Sequence, residues 1–201
     1  MPQPISQVKK NALIFLANQP GVMDPFVARP KLAAHSMQVV GAWSLVEYFM
    51  LSAYVRHAGG AHQSAAKTFL GLGTRSKKEK VLNEVMEARL DERQLTRFKR
   101  IMSQMKSTGK KRDKLAHWVP GYSDDLKNCL LFSDPRQVVN SDVGAEVDKT
   151  RIFCFFQHDF EEIVKECSQI SCWGYHTINP VWPASKAVAR QPFPPKNWPK
   201  R

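Results

Sequence analysis

Arg112-Asp113-Lys114-Leu115-Ala116-His117 is the stretch on which the reading of this chain turns. Upstream of it, Leu95, Phe98, Met102 and Met105 recur at three- and four-residue steps, the spacing of one helix face. Asp91 and Gln94 have the spacing of a capping box, with an acceptor for the first free amides and a second polar side chain three residues on. The pattern predicts one helix from this cap to His117, with Gly109 weakening it without ending it. Arg112 continues the rhythm after Met105 and Gly109. A guanidinium on an apolar face is costly unless it is paired and hydrogen-bonded.

Working outward, Val39, Trp43, Val46, Met50 and Tyr54 predict a long helix from about Leu32 to Arg56, ended by Gly59-Gly60. A shorter helix is expected over Ala61–Leu70, closed by Gly71 and Gly73. Ser76 and Glu79 form another capping box, opening a helix to about Leu90. After Pro120-Gly121 the pattern changes. Asn128–Phe132 and Arg151–Phe156 read as two short strands, separated by the turn-rich Ser133-Asp134-Pro135 and a polar stretch over 140–149. Asp159 to Glu162 reads as a third cap, starting a helix with Phe160, Ile163, Val164, Cys167 and Ile170 on one face. Residues 1–34, with five prolines, read as an N-terminal arm carrying a short helix around Gln7–Asn18. Residues 176–201 read as a Pro-rich basic tail. The expected fold class is therefore mainly α, a helical domain over 35–175 with a short β-hairpin near 128–156 after the motif helix and a C-terminal helix.

The chain has 201 residues, 43% of them hydrophobic, enough for one ordinary core. Its formal net charge is +12, with a pI near 9.7. Such a balance favours polyanionic partners through attraction and counterion release, and is equally met by a merely solvated basic surface. Of Cys129, Cys154, Cys167 and Cys172, none forms a CxxC pair, so no metal site and no cofactor is expected. Cys154 stands in an apolar run, where a small buried thiol is at home. The apolar run Ala12 to Ala17 is too short for a signal h-region or a membrane span. A cytoplasmic protein with reduced thiols and no membrane association is the expectation.

The chemistry-bearing residues cluster around the quoted stretch. Asp113 and His117 are four apart, so on a helix the carboxylate is placed to orient the imidazole. Arg112 projects from the adjoining edge, and Lys111 and Lys114 flank it. Histidine moves protons and arginine neutralises phosphoryl oxygens, which is what a reacting phosphodiester requires. A histidine at a helix end is also commonly a plain polar cap. Glu47 falls inside the stripe of the first long helix, after Trp43 and before Met50, so Glu47 and Arg112 are a candidate interhelical pair. Taken by itself such a pair reads as structural. Arg100, Lys106, Lys110, Lys111 and Lys114 sit on a stretch with few acids after Glu92 and are candidates for guiding RNA. Lys77, Lys78 and Lys80 alternate with Glu79, Glu84 and Glu87 and read as an ordinary solvated face. Lys196 to Arg201 combines cations with Trp198, a stacking aromatic.

Arg112-Asp113-x-x-x-His117 resembles the Arg-[Asn/Asp]-x-x-x-His signature of the HEPN superfamily. Ala42-Trp43-Ser44-Leu45-Val46-Glu47 resembles the first-helix pattern, aromatic then acidic, that accompanies it. The resemblance covers about residues 35–172. It departs from the family at Trp118, where relatives often have Gly, and at Asp113, where Asn is frequent. The resemblance implies a helical bundle that dimerises with two motifs facing one another. It also implies a metal-independent endoribonuclease in which the ribose 2′-hydroxyl attacks the adjacent phosphate, in a toxin–antitoxin, antiviral or RNA-processing setting. By that carry-over His117 is the general base or acid, Arg112 the phosphate stabiliser, Asp113 the orienting residue and Glu47 a partner of Arg112. The partners so implied are a second copy, RNA and an antitoxin or other protein. The alternative of another class is a non-catalytic module binding RNA, nucleotide or protein through the same cleft.

Overall fold

A computed structural model describes residues 1–17, 19–142 and 148–178. The expected tail falls almost wholly outside the described residues. The molecule is mainly helical with a small antiparallel sheet. Its elements, in chain order, are β1 (Gln3–Pro4), α1 (Ile5–Val8), β2 (Phe15–Leu16), α2 (Pro25–Ala28), α3 (Pro30–His57), α4 (His62–Leu70) and α5 (Arg75–Arg89). There follow α6 (Glu92–His117), β3 (Val119–Tyr122), β4 (Cys129–Ser133), α7 (Pro135–Asp142), a 3₁₀ turn at Lys149–Arg151, β5 (Ile152–Phe156) and α8 (Gln157–Ile178). The chain divides into two compact units, one of Met1–Trp43 with Ser107–Glu166, the other of Ser44–Lys106 with Cys167 onward.

The first unit is organised by the sheet, in the order β1-β5-β4-β3-β2. β4 and β5 pair antiparallel with Leu131 opposite Cys154 and Cys129 opposite Phe156. Side chains alternate across a strand, so Cys129, Leu131, Ile152 and Cys154 share one face. There they form a buried cluster with Ile5 and Ala12 of the N-terminal segment. The hydrogen bond to Cys129, together with burial, pushes the Cys154 thiol above its ordinary range. None of the four cysteines is in a disulfide. On the other face Phe132 packs edge-on to Phe155, which stacks on Phe160 of α8 with centroids 5.6 Å apart.

Four sequence expectations are corrected here. The hairpin is one part of a five-stranded sheet, because β3 follows directly on α6 and the N-terminal arm supplies both edge strands. The arm helix expected around Gln7–Asn18 is reduced to the end of α1 (Ile5–Val8), and residues 9–17 are loop and strand. Asp125 accepts from the Leu13 amide at 3.0 Å and from Lys9 Nζ at 2.9 Å, tying the segment down as loop and strand while Ala12 and Leu16 are buried. Gly121 fits this edge because a Cβ there would lie 2.6 Å from the Phe15 carbonyl oxygen. Ser133-Asp134-Pro135 opens the helix α7: Asp134 accepts from the Arg136 amide at 3.0 Å, and Pro135 takes the first helical position. The cap of α5 is Thr74, whose hydroxyl accepts from the Lys77 amide, while Glu79 pairs with Arg75 at 3.1 Å.

The second unit consists of helical segments. Tyr54 of α3 stacks on Phe69 of α4 at 4.9 Å. A Cβ at Gly174 of α8 would collide with the Phe49 ring, so that contact depends on glycine. Lys99 and Glu87 pair at 3.1 Å on the surface. α6 begins as expected: Asp91 Oδ1 accepts from the Gln94 amide at 2.8 Å and Gln94 Oε1 from the Asp91 amide at 3.2 Å. At α8 Asp159 is the third helical residue and not the N-cap that was expected. The helix starts at Gln157, and Asp159 Oδ2 reaches back to the Phe156 amide at 3.0 Å while Oδ1 lies 3.1 Å from the Met1 ammonium.

Candidate active site

α6 runs unbroken through Gly109 to His117, and the Trp118 amide closes its last turn on the Lys114 carbonyl at 3.1 Å. The motif residues all lie in the part of α6 that belongs to the first unit. Thr108 and Lys111, three apart and on one face, both engage Glu166 of α8. The Thr108 hydroxyl donates to Oε2 at 2.8 Å and Lys111 Nζ to Oε1 at 2.7 Å. Thr108 is fully buried, and Lys111 and Glu166 keep 13% and 20% of their side chains exposed. Lys111 thus anchors the helix, and its charge is already matched by a carboxylate.

Arg112 is half-buried, and its Nε is buried with no hydrogen-bond partner among the described residues. Its Nη1 lies 3.5 Å from Asp113 Oδ1. His117 is exposed at the helix terminus and receives no hydrogen bond or ion pair among the described residues. The orienting Asp113–His117 contact expected from the spacing is therefore not made, and the Asp113 carboxylate lies beside Arg112 instead.

Lys114 projects onto the sheet. Its Nζ lies 3.2 Å from the centre of the Phe153 ring and 5.1 Å from that of Trp118, and these two rings meet edge-to-face at 5.7 Å. An ammonium over ring faces is attracted by their quadrupoles. Loss of water nevertheless dominates, and burial lowers the Lys114 pKa from its ordinary value.

Of the remaining expected residues, Lys110 is exposed on the same stretch of helix. Arg100 and Lys106 are exposed but belong to the second unit. Glu47 also belongs to the second unit and is exposed. Its placement on the apolar stripe is corrected: the buried line of α3 runs through Val39, Trp43, Val46, Met50 and Ala53, and position 47 falls just beyond its edge. The first unit thus gathers Arg112, Asp113, Lys114 and His117, with Lys110 nearby. Sequence reasoning missed Glu166, Phe153 and the packing role of Trp118. Trp118 was visible only as a departure from the family pattern, and Glu166 and Phe153 carried no local signal because each acts across the chain.

Among the described residues no group of three or more His, Cys, Asp or Glu side chains is placed to hold a metal ion, and no helix is long and apolar enough to cross a membrane. A surface groove of about 390 Å³ lies in the second unit, lined by Tyr48, Leu51, Val55, Arg56 and His62 among others. It contains none of the motif residues. No family model, curated protein or solved structure matches the chain.

Proposed function

We propose that this protein is a metal-independent endoribonuclease of HEPN type, cleaving RNA by attack of the ribose 2′-hydroxyl on the adjacent phosphate. The observation that carries the reading is the gathering of Arg112, Lys114 and His117 on the last turns of one helix, with polar capacity left over. A half-buried guanidinium with an unpartnered Nε is placed to take a phosphoryl oxygen. An exposed imidazole is free to take up or release a proton. Internal attack needs a base, an acid and charge stabilisation, and no bound metal. The basic chain favours RNA, with Lys110, Lys106 and Arg100 as additional phosphate contacts. A homodimer would double the Arg112–His117 set around a two-fold axis. An antitoxin-like protein partner and a cytoplasmic, defence-related setting complete the reading.

One observation favours a second reading. His117 lacks the orienting carboxylate that proton-transfer histidines usually have, which suits a module that binds RNA, nucleotide or protein without cleaving. Incubation of the purified protein with mixed RNA in EDTA, beside the Arg112→Ala, His117→Ala double variant, separates the two. The first reading expects RNA cut only by the parent and DNA bound but intact, since DNA lacks the 2′-hydroxyl. RNA retained and uncut by both proteins would establish the binding module instead.

A further inference from the structure

We propose that Lys114 is the general acid of the cleavage, delivering a proton to the departing 5′-oxygen while His117 takes the proton of the attacking 2′-hydroxyl. This inference rests on the ribonuclease reading above and names the second proton-transfer group that the reading lacks. Within one copy of the chain the motif offers a single imidazole, yet the reaction moves two protons at two oxygens. Arg112 cannot serve, because a guanidinium does not give up its proton in a protein. Lys111 cannot, because Glu166 holds its ammonium at 2.7 Å.

Lys114 has the position and the surroundings. It lies three residues before His117, so the two side chains leave the same face of α6. Its ammonium lies over the Phe153 ring at 3.2 Å from its centre, and 5.1 Å from the ring centre of Trp118, the residue next to His117. The groups facing it are few. β5 presents the Phe153 ring and no charge. On α8, Glu166 is taken by Lys111 and Thr108, and Asp159 lies beside the Met1 ammonium. On α6 itself Asp113 lies beside Arg112, leaving Lys110 and His117 as the other titratable neighbours. No carboxylate pairs with Lys114 among the described residues. Burial with no counter-charge makes an ammonium a stronger acid, and the pKa of Lys114 is lowered for that reason.

The step balances as follows. The 2′-oxygen forms a bond to phosphorus and its proton passes to His117. The bond from phosphorus to the 5′-oxygen breaks, and that oxygen takes a proton from Lys114. The products are a 2′,3′-cyclic phosphate and a 5′-hydroxyl, and exchange with water resets both side chains.

The decisive test replaces the scissile 5′-oxygen of an RNA oligonucleotide with sulfur, because a thiolate leaves without being protonated. On the ordinary oligonucleotide in EDTA, Lys114→Met is expected to cleave about 10²-fold or more slowly than the parent. On the sulfur oligonucleotide it should come within a few-fold of the parent, while His117→Ala stays slow on both. Lys114→Arg keeps the charge and the ring contacts and serves where Lys114→Met folds poorly; it too should be slow on oxygen and restored on sulfur. A Lys114→Arg variant as fast as the parent on the ordinary RNA, or equally slow on both RNAs, overturns the inference and leaves the ribonuclease reading standing. A parent that cuts neither RNA overturns both.

Discussion

The two ends of α6 obey different rules. At its start, the Asp91 and Gln94 side chains each accept from the other's backbone amide, at 2.8 and 3.2 Å, and the Leu95 amide finds the Asp91 carbonyl at 2.8 Å. Polar demand there is met within five residues. At its end, Arg112 carries an unpartnered buried Nε, His117 stands exposed, and Lys114 lies half-buried against two rings. Native proteins satisfy most buried polar groups, and Arg112 Nε is an exception at this terminus, as Gln104 Oε1 is earlier on the same helix. Lys111, in the midst of the motif, is the instructive exception: it looks like its neighbours in sequence and behaves like the cap, because Glu166 meets it.

That contrast is broken most forcefully at His117. His117→Ala should lower RNA cleavage roughly 10²–10⁴-fold, the usual worth of a proton-transfer group. Because the side chain is exposed, the melting temperature should hardly move. A large drop in melting temperature would instead make His117 a structural cap. Glu166→Gln reverses the pattern. It leaves the Lys111 ammonium without its carboxylate and should cost roughly 2 kcal/mol, less than a fully buried pair because both side chains keep some exposure. Denaturant unfolding measures this, and an unchanged midpoint would remove Lys111 from the structural class.

At the opposite end, Asp91→Ala should cost about 1 kcal/mol, the typical worth of a lost cap, without altering cleavage rates. A loss of activity larger than the loss of folded protein would show that the cap is not merely local. A smaller effect is expected at the cap of α7. The Arg136 guanidinium, bonded to Asp134, holds its carboxyl down from the ordinary 3.8 to about 2. A depressed carboxylate pKa contributes stability above the unfolded value, and that contribution is lost as pH falls through the folded one. The parent should therefore lose melting temperature between about pH 4 and pH 2 more steeply than Asp134→Asn, as followed by circular dichroism. Parallel curves would mean that the Asp134–Arg136 pair adds nothing.

Legibility in the sequence followed the range of the interactions. α3, α4 and α6 could be read within a residue or two of their ends because their apolar spacing and their caps are local. The capping box at Asp91 was readable for the same reason. The sheet was underestimated because β1 and β2 are two residues each, too short for any periodicity, and exist through pairing with β5 and β3. α7 was missed because Ser133-Asp134-Pro135 signals a turn and a helix start equally well. In the site, residue types and spacing identified Arg112, Asp113, Lys114 and His117, and the structure gathers them in one unit. Spacing failed where a side chain had a choice of partner. Asp113 lies beside Arg112 rather than engaging His117, Glu47 falls just off the buried stripe, and Lys111 is claimed by a helix 55 residues away.

The central claim is tested most directly by the chemistry of the cut ends. The purified protein is incubated with a defined single-stranded RNA in EDTA, and the fragments are resolved by mass spectrometry. Cleavage through the 2′-hydroxyl predicts fragments ending in a 2′,3′-cyclic phosphate paired with fragments beginning in a 5′-hydroxyl, produced by the parent and absent with His117→Ala. Intact RNA, cleavage that appears only when magnesium is added, or 5′-phosphate ends would contradict it.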